Sequence, residues 1–340
     1  MNFISQLPAT DRQAIFTETG VKLGLPPFHI EKDFWVCWTL STLFKNELVG
    51  PNLAFRGGTS LSKGWQCIER FSEDIDLSIS RNWISSELDP SEKNIASNER
   101  EKRLRKLRKE CRSAITEILI PLLNSQLSTL REDVTCSLEV ESLEKARDPF
   151  CIYLYYPTVG FNFPANYHRP AVKIELSGRA EGWPIESRRI QSYVTQQFSN
   201  FSDDLDLHIP CVRPERTFWE KVSLLHELNT RPERKPLAAR QSRHLYDLYQ
   251  LWQHLEIYKA PGFYDLFEIV KKHRQSFFAY QWVDYDKLSQ RDLILHPPED
   301  QISTWKADYA AMESMFFGKH PSFEEIRKSI RTIQSTLAIL

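Results

Sequence analysis

Phe55-Arg56-Gly57-Gly58-Thr59-Ser60-Leu61, followed by Phe71-Ser72-Glu73-Asp74-Ile75-Asp76-Leu77, is the stretch that decides how this chain is read. From Asp74 to Ile79 polar and apolar residues alternate, which predicts a strand. Alternate strand side chains share a face, so Asp74, Asp76 and Ser78 point one way and Ile75, Leu77 and Ile79 the other. The apolar trio is core. The two carboxylates stand side by side and repel unless a cation lies between them. Mg²⁺ takes few carboxylates together with phosphate oxygens, so the pair reads as the metal ligands of a nucleotide site. In the first half, Leu53 to Arg56 predicts a short strand and Thr59 to Trp65 a short helix. Gly57-Gly58 at their junction lets a phosphate approach the backbone. The helix start adds N–H donors, and the hydroxyls of Thr59 and Ser60 can join them. An Asp-x-Asp alone is commonly solvated, and a Gly-Gly turn alone says less. It is the combination, at this spacing, that carries the reading.

Working outward, residues 10–23 and 27–46 predict two helices, with Pro26-Pro27 between them. Residues 90–125 predict a long helix with a basic middle. Period-two patterns predict strands over 134–140, 151–156 and 172–176, and 207–212 reads as the last strand. From Pro214 onward the pattern is helical: 214–229, 240–254, 263–274, 300–316 and 322–337. The order implies an α+β core over residues 1–212 and a helical C-terminal domain over 213–340. Residues 229–240 read as a loop.

Composition bounds the function classes. The chain has 340 residues, 41% apolar and 26% charged, in the ordinary globular range. Its six cysteines include no C-x-x-C pair, which argues against zinc and for a reducing cytoplasm. No signal peptide and no apolar run long enough for a membrane span is present. With a formal net charge of −1, nucleic-acid binding has to come from local clusters.

The Gly-Gly-Thr-Ser-Leu motif and Arg70-Phe-Ser-Glu-Asp-Ile-Asp-Leu resemble the signature of the AbiEii-type toxin nucleotidyltransferases, of the DNA polymerase β-like superfamily and similar to the Men-type toxins. The resemblance touches Glu31-Lys32-Asp33-Phe34-Trp35. It returns at Pro214-Glu215-Arg216-Thr217-Phe218-Trp219-Glu220-Lys221 and at Arg243-His244-Leu245-Tyr246-Asp247-Leu248. It implies a nucleotidyltransferase-like mixed sheet flanked by helices, with the C-terminal domain contributing to the active site. It implies that Gly57, Gly58, Thr59 and Ser60 hold the triphosphate and that Asp74 and Asp76 bind two Mg²⁺ ions. A third carboxylate is expected on a neighbouring strand. Glu175, in Val172-Lys173-Ile174-Glu175-Leu176, is the first candidate and Glu139 the weaker one; Asp203, Asp204 and Asp206 read as loop or cap residues. The family implies a phosphate contact for Lys221 and a required aspartate at Asp247, for which Arg243, one turn earlier, is a possible partner. Lys32 and Asp33 read as structural, and His244 has no assigned role.

The expected reaction is transfer of a nucleoside monophosphate from an NTP to an acceptor. By resemblance the acceptor is RNA, at the tRNA 3′ end, and the protein is the toxin of a toxin–antitoxin or phage-defence system with a cognate antitoxin. Two basic clusters could hold RNA: one over 98–112, the other Arg231, Arg234, Lys235, Arg240 and Arg243. Transfer to a protein or a small molecule, and a non-catalytic nucleotide-binding regulator, are the alternatives.

Overall fold

The computed structural model describes residues 4–85, 89–92, 95–141, 148–162, 170–198, 206–232 and 237–339. The chain divides into two compact units. The first comprises Met1–Gly64, Glu73–Asp89 and Glu101–Val212, and the second Trp65–Ser72, Pro90–Arg100 and Arg213–Leu340.

The first unit is built on a mixed sheet whose strands are β1 (Leu53–Arg56), β2 (Ile75–Ile79), β3 (Ser137–Val140), β4 (Phe150–Tyr155), β5 (Ala171–Ser177), β6 (Ile185–Gln191) and β7 (Asp206–Val212). Their order is β3-β4-β5-β2-β1-β7-β6. β1 pairs antiparallel with β2, and β2 parallel with β5, so the two strands of the decisive motif lie centrally. Phe55, Leu77, Leu176 and Phe150 stand in register across β1, β2, β5 and β4, and all four are buried. That row is the apolar face that alternation demands.

Around the sheet lie α1 (Ala9–Leu23), α2 (Pro27–Phe44), α3 (Gly57–Lys63), α4 (Arg81–Ile84), α5 (Ser97–Ala114), α6 (Ile120–Leu127) and α7 (Tyr193–Gln197). Proline at the start of α2 suits a first helical turn, where its missing N–H is not needed. The long helix expected over 90–125 is interrupted. A π-helical turn over Ile115–Leu119 separates α5 from α6. Pro121 cannot donate to the carbonyl four residues back, so the ladder widens there.

Two further differences concern the last two strands of the sheet. β6 was not legible in the sequence: its first three residues are exposed, and an edge strand has no buried face to impose alternation. Asp206, read as a loop or cap residue, opens β7, in register with Gln191. Asp203 and Asp204 lie outside the described residues.

The second unit is helical. Its main helices are Pro214–Asn229, Ser242–Gln253, Asp265–Phe277, Ile302–Ala310 and Phe323–Ile339. Trp219 is fully buried and donates its indole N–H to the Phe263 carbonyl at 2.7 Å. Glu227 takes Nε of Arg274 at 2.8 Å and the Tyr285 hydroxyl at 2.7 Å. No helix among the described residues is long and apolar enough to cross a membrane.

Candidate active site

In the first unit, β1 and β2 bring the two halves of the motif together. Arg56 lies opposite Asp76, and Asp76 is in register with Glu175 on β5. Asp74 directly precedes β2, and Asp74 and Asp76 are both half-buried while Glu73 and Ile75 are buried. The carboxylates therefore sit on the face opposite the apolar row, as alternation requires.

Gly57 is needed for two reasons. Its φ is +74°, which a side chain disfavours. A Cβ built there would also fall 2.0 Å from Oδ2 of Asp76. The Asp76 carboxylate thus rests directly on the Gly57 backbone. Glycine here makes room for the acid, whatever its N–H later binds.

Thr59 and Ser60 do not fit the expected role of phosphate donors. Both are fully buried. The Thr59 hydroxyl donates to the Asp74 carbonyl at 2.5 Å, and that of Ser60 to the Gly57 carbonyl at 3.1 Å. Each side chain is short enough to reach its own turn, and burial leaves no path to a ligand. Their role in the structure is to fix the backbone that carries Gly57 and Asp74.

Buried charges brace this motif. Glu31, Lys32 and Asp33 follow one another on α2, and all three are buried. Glu31 accepts from the Thr158 hydroxyl at 2.8 Å and the Val159 N–H at 2.9 Å. Burial pushes its carboxyl up to about 7, against those hydrogen bonds. Lys32 Nζ lies 2.7 Å from Glu73, the residue before Asp74. Asp33 pairs with Lys63 at the end of α3 and accepts from the Tyr193 N–H at 2.7 Å. The structural reading of Lys32 and Asp33 fits these contacts.

Of the candidates for a third carboxylate, Glu175 has the right register and Glu139 does not. Glu139 lies on β3, separated from β2 by β4 and β5, so three strand spacings of roughly 4.8 Å each keep it out of reach. The carboxylate of Glu175 is ion-paired with Lys173 on the same strand. Burial would lower the Lys173 pKa, but Glu175, with help from Asp74, raises it above its ordinary value. Among the described residues no three acidic, His or Cys side chains are gathered closely enough to hold an ion. The donor set nonetheless suits a hard divalent cation: oxygen ligands in register, with a Cβ-free seat under one of them.

The second unit holds Lys221 and Asp247. Asp247 is fully buried and takes Nε and Nη2 of Arg70 at 2.7 and 2.8 Å. Lys221 Nζ lies 2.8 Å from the same carboxylate and 3.4 Å from His244 Nδ1. The partners are thus Arg70 and Lys221 where helical spacing suggested Arg243. An i,i+4 pair needs both residues on one surface, and Asp247 faces inward while Arg243 is half-exposed. Burial would raise the Asp247 pKa, but the Arg70 and Lys221 charges hold it well below the usual carboxylate range. Burial lowers the Lys221 pKa, and one anion shared between two cations does not fully offset it. His244, buried beside Lys221 and Arg243, is held neutral. Arg70 opens the motif that carries the family resemblance but had no assigned role; an arginine close to the apolar Ile68 and Phe71, both buried in the structure, was the available signal.

The basic run 98–112 is less uniform than its composition. Arg100 and Arg103 donate to the carbonyls of Pro90 and Asp89, at 3.2 and 3.0 Å. Lys102, Arg105, Lys106 and Lys109 are exposed and recur at helical spacing along one side of α5. Arg234 and Lys235 of the second cluster lie outside the described residues. All six cysteines are free, four of them buried.

A mixed sheet flanked by helices, with paired acids on a central strand beside a Gly-Gly turn, is the architecture of a nucleotidyltransferase. The family model for the nucleotidyl transferase AbiEii toxin of type IV toxin–antitoxin systems matches residues 38–331, and the chain belongs to that family. No curated relative matches the sequence. Among solved structures, the crystal structure of JHP933 from Helicobacter pylori is similar over 91% of this chain and 90% of that one, at 13% identity and a TM-score of 0.41. That likeness is too loose to transfer any residue's role.

Proposed function

We propose that this protein is a divalent-metal-dependent nucleotidyltransferase that moves a nucleoside monophosphate from an NTP to an RNA hydroxyl, at the tRNA 3′ end, as the toxin partner of a cognate antitoxin. The observation that carries the reading is the carboxylate row: Asp76 on a central strand with Asp74 just before it, Glu175 in register with Asp76, and Gly57 seating Asp76. Family membership supports nucleotidyl transfer and the toxin–antitoxin setting. Phage defence would be one such setting.

Asp74 and Asp76 would hold two Mg²⁺ ions, with Glu175 as third ligand. When bound, such ions orient the triphosphate and lower the pKa of the attacking hydroxyl. The chain's own residues do the rest. Thr59 fixes the Asp74 carbonyl, Lys32 holds Glu73 beside it, and Gly57 leaves Asp76 its place. Gly57 and Gly58 offer backbone N–H groups to the phosphates. The acceptor oxygen bonds to the α-phosphorus as the bond to the departing pyrophosphate breaks. In the second unit Asp247 holds Lys221, so a phosphate contact by Lys221 requires exchange of one anion for another.

The stripe Lys102, Arg105, Lys106 and Lys109 favours an acceptor with a phosphodiester backbone. Incubation with each α-labelled NTP and total RNA tests the whole reading. Wild type should label RNA in a magnesium-dependent way. Asp76→Ala, which removes a metal ligand, should label it at least about a hundredfold more slowly, since each 1.4 kcal/mol is a factor of ten. Label entering protein or small molecules with RNA unlabelled would move the assignment to those acceptors. An Asp76→Ala variant as active as wild type would sink it.

A further inference from the structure

Glu175 is already engaged where it joins the acidic row. Its carboxylate is ion-paired with Lys173, two residues earlier on β5. Residues two apart on a strand share a face, and this is the face of Asp76, whose Cα is in register with Glu175. Asp74, the residue just before β2, adds its charge to that of Glu175 in acting on Lys173. On the far side, Cys151 and Tyr153 of β4 stand in register with Glu175 and Lys173. The side chains of Lys173 and Glu175 keep 30% and 24% exposure, so ions can reach the pair from solvent.

Three carboxylates drawn to one spot repel each other unless a cation sits among them. Among the described residues these three are not gathered, and the ammonium of Lys173 holds one of them, the carboxylate of Glu175.

We propose that Lys173 is the resident counter-ion of the acidic row, a positioning residue that keeps Glu175 beside Asp76 in the metal-free protein and yields Glu175 to the divalent cation. The proposal rests on reading Asp74 and Asp76 as metal ligands. Its consequence is specific. Lys173 supports the folded protein without metal and at the same time weakens metal binding, because the ion has to displace a positive charge and meets its field. An ion pair that merely tied the strand together would not oppose the metal.

Mn²⁺ binding to the full chain, measured by electron paramagnetic resonance and calorimetry, tests this with Lys173→Met, Lys173→Arg, Asp76→Asn and wild type. Lys173→Met should bind Mn²⁺ about tenfold more tightly, the order expected when one like charge is removed a few ångströms from the ion in a half-solvated site. Lys173→Arg, which keeps the charge, should bind near the wild-type level. Without metal, Lys173→Met should melt lower than wild type and recover the difference on adding Mn²⁺. In a Glu175→Gln background the same change should cost nothing. Mn²⁺ affinity equal to or below wild type in Lys173→Met overturns the proposal, and Lys173→Gln serves if the Met variant fails to fold. The two readings fail separately. If Asp76→Asn abolishes Mn²⁺ binding while Lys173→Met leaves it unchanged, the metal site stands and the counter-ion role falls. If Asp76→Asn keeps wild-type affinity, the metal reading falls and this proposal with it.

Discussion

Replacing Asp247 by Ala should unfold the protein far more readily than loss of an ordinary surface acid. The carboxylate is fully buried and accepts from Arg70 at 2.7 and 2.8 Å and from Lys221 at 2.8 Å. Its removal leaves two buried cations without their anion. Breaking a buried ion pair by deleting one partner costs about 3–5 kcal/mol. Lys221 can shed its proton to soften the loss, but Arg70 cannot. At about 2–4 °C per kcal/mol for a domain of roughly 150–250 residues, melting should fall by about 10 °C. Differential scanning calorimetry reads the shift and urea unfolding the free energy. The pH dependence gives a second check. A carboxyl held below its unfolded pKa contributes stability that is complete above the unfolded value, about 4, and is lost as pH falls toward the folded value. Titration of Asp247 itself therefore narrows the gap between wild type and Asp247→Ala only below about pH 4, while a proton shed by Lys221 in the variant narrows it as pH rises. A variant melting within a degree of wild type at pH 7 would refute the view of Asp247 as the anchor of this cluster.

Gly57→Ala should abolish transfer about as completely as Asp76→Ala, because the new Cβ would meet Oδ2 of Asp76 at 2.0 Å on a backbone with φ +74°; labelled-RNA assays decide it, and normal activity would contradict the seat assigned to Gly57. Thr59→Val keeps shape but removes the hydroxyl that donates to the half-buried Asp74 carbonyl. Stability in urea should drop by about 1–3 kcal/mol and turnover should fall with it, whereas a silent variant would show that the hydrogen bond positions nothing. Combined Lys102→Ala, Lys106→Ala and Lys109→Ala should flatten the salt dependence of RNA binding, by about 0.7 in log–log slope for each single-strand phosphate that is no longer neutralised; an unchanged slope would place the RNA elsewhere.

What could be read from the sequence is what one short window encodes. β2, which carries Asp76 and starts one residue after Asp74, has both a polar and a buried face, so alternation orients its side chains. Gly57-Gly58 was read as a turn ahead of a helix starting at Thr59, whereas α3 opens on Gly57 itself, and the reason for glycine there was not legible. The contact that forbids a Cβ comes from Asp76 on the next strand, and sequence spacing alone does not report a cross-strand distance. For Thr59 and Ser60 the sequence left two partners open, since a hydroxyl near a glycine turn suits a phosphate as well as the backbone carbonyl that each bonds in the structure. Arg70 was given no role for a related reason. Its partner Asp247 is 177 positions away, and the local rule for helices pointed to Arg243 instead. β6 was missed because its exposed edge has no periodicity to read.

The distribution of buried charge argues for one principle behind the motif. Lys32, Asp33, Lys63 and Glu73 in the first unit, and Arg70, Lys221 and Asp247 in the second, are all buried and all paired. Apolar residues of similar volume would generally serve stability as well or better, so stability alone is a weak reason for such a concentration. Direction is a better one. An apolar contact tolerates sliding, whereas a bidentate arginine or a lysine in a carboxylate's grip fixes where a backbone segment begins. Glu73 and Lys63 bracket the two halves of the decisive motif, and both are held by consecutive residues of one helix. α2 thereby sets the separation of the Gly-Gly turn and the acidic strand, and a carboxylate resting on a bare glycine is usable only if that separation is held to a fraction of an ångström. On this view the placing of Asp74 and Asp76 depends as much on Lys32 and Asp33 as on the strand beside them.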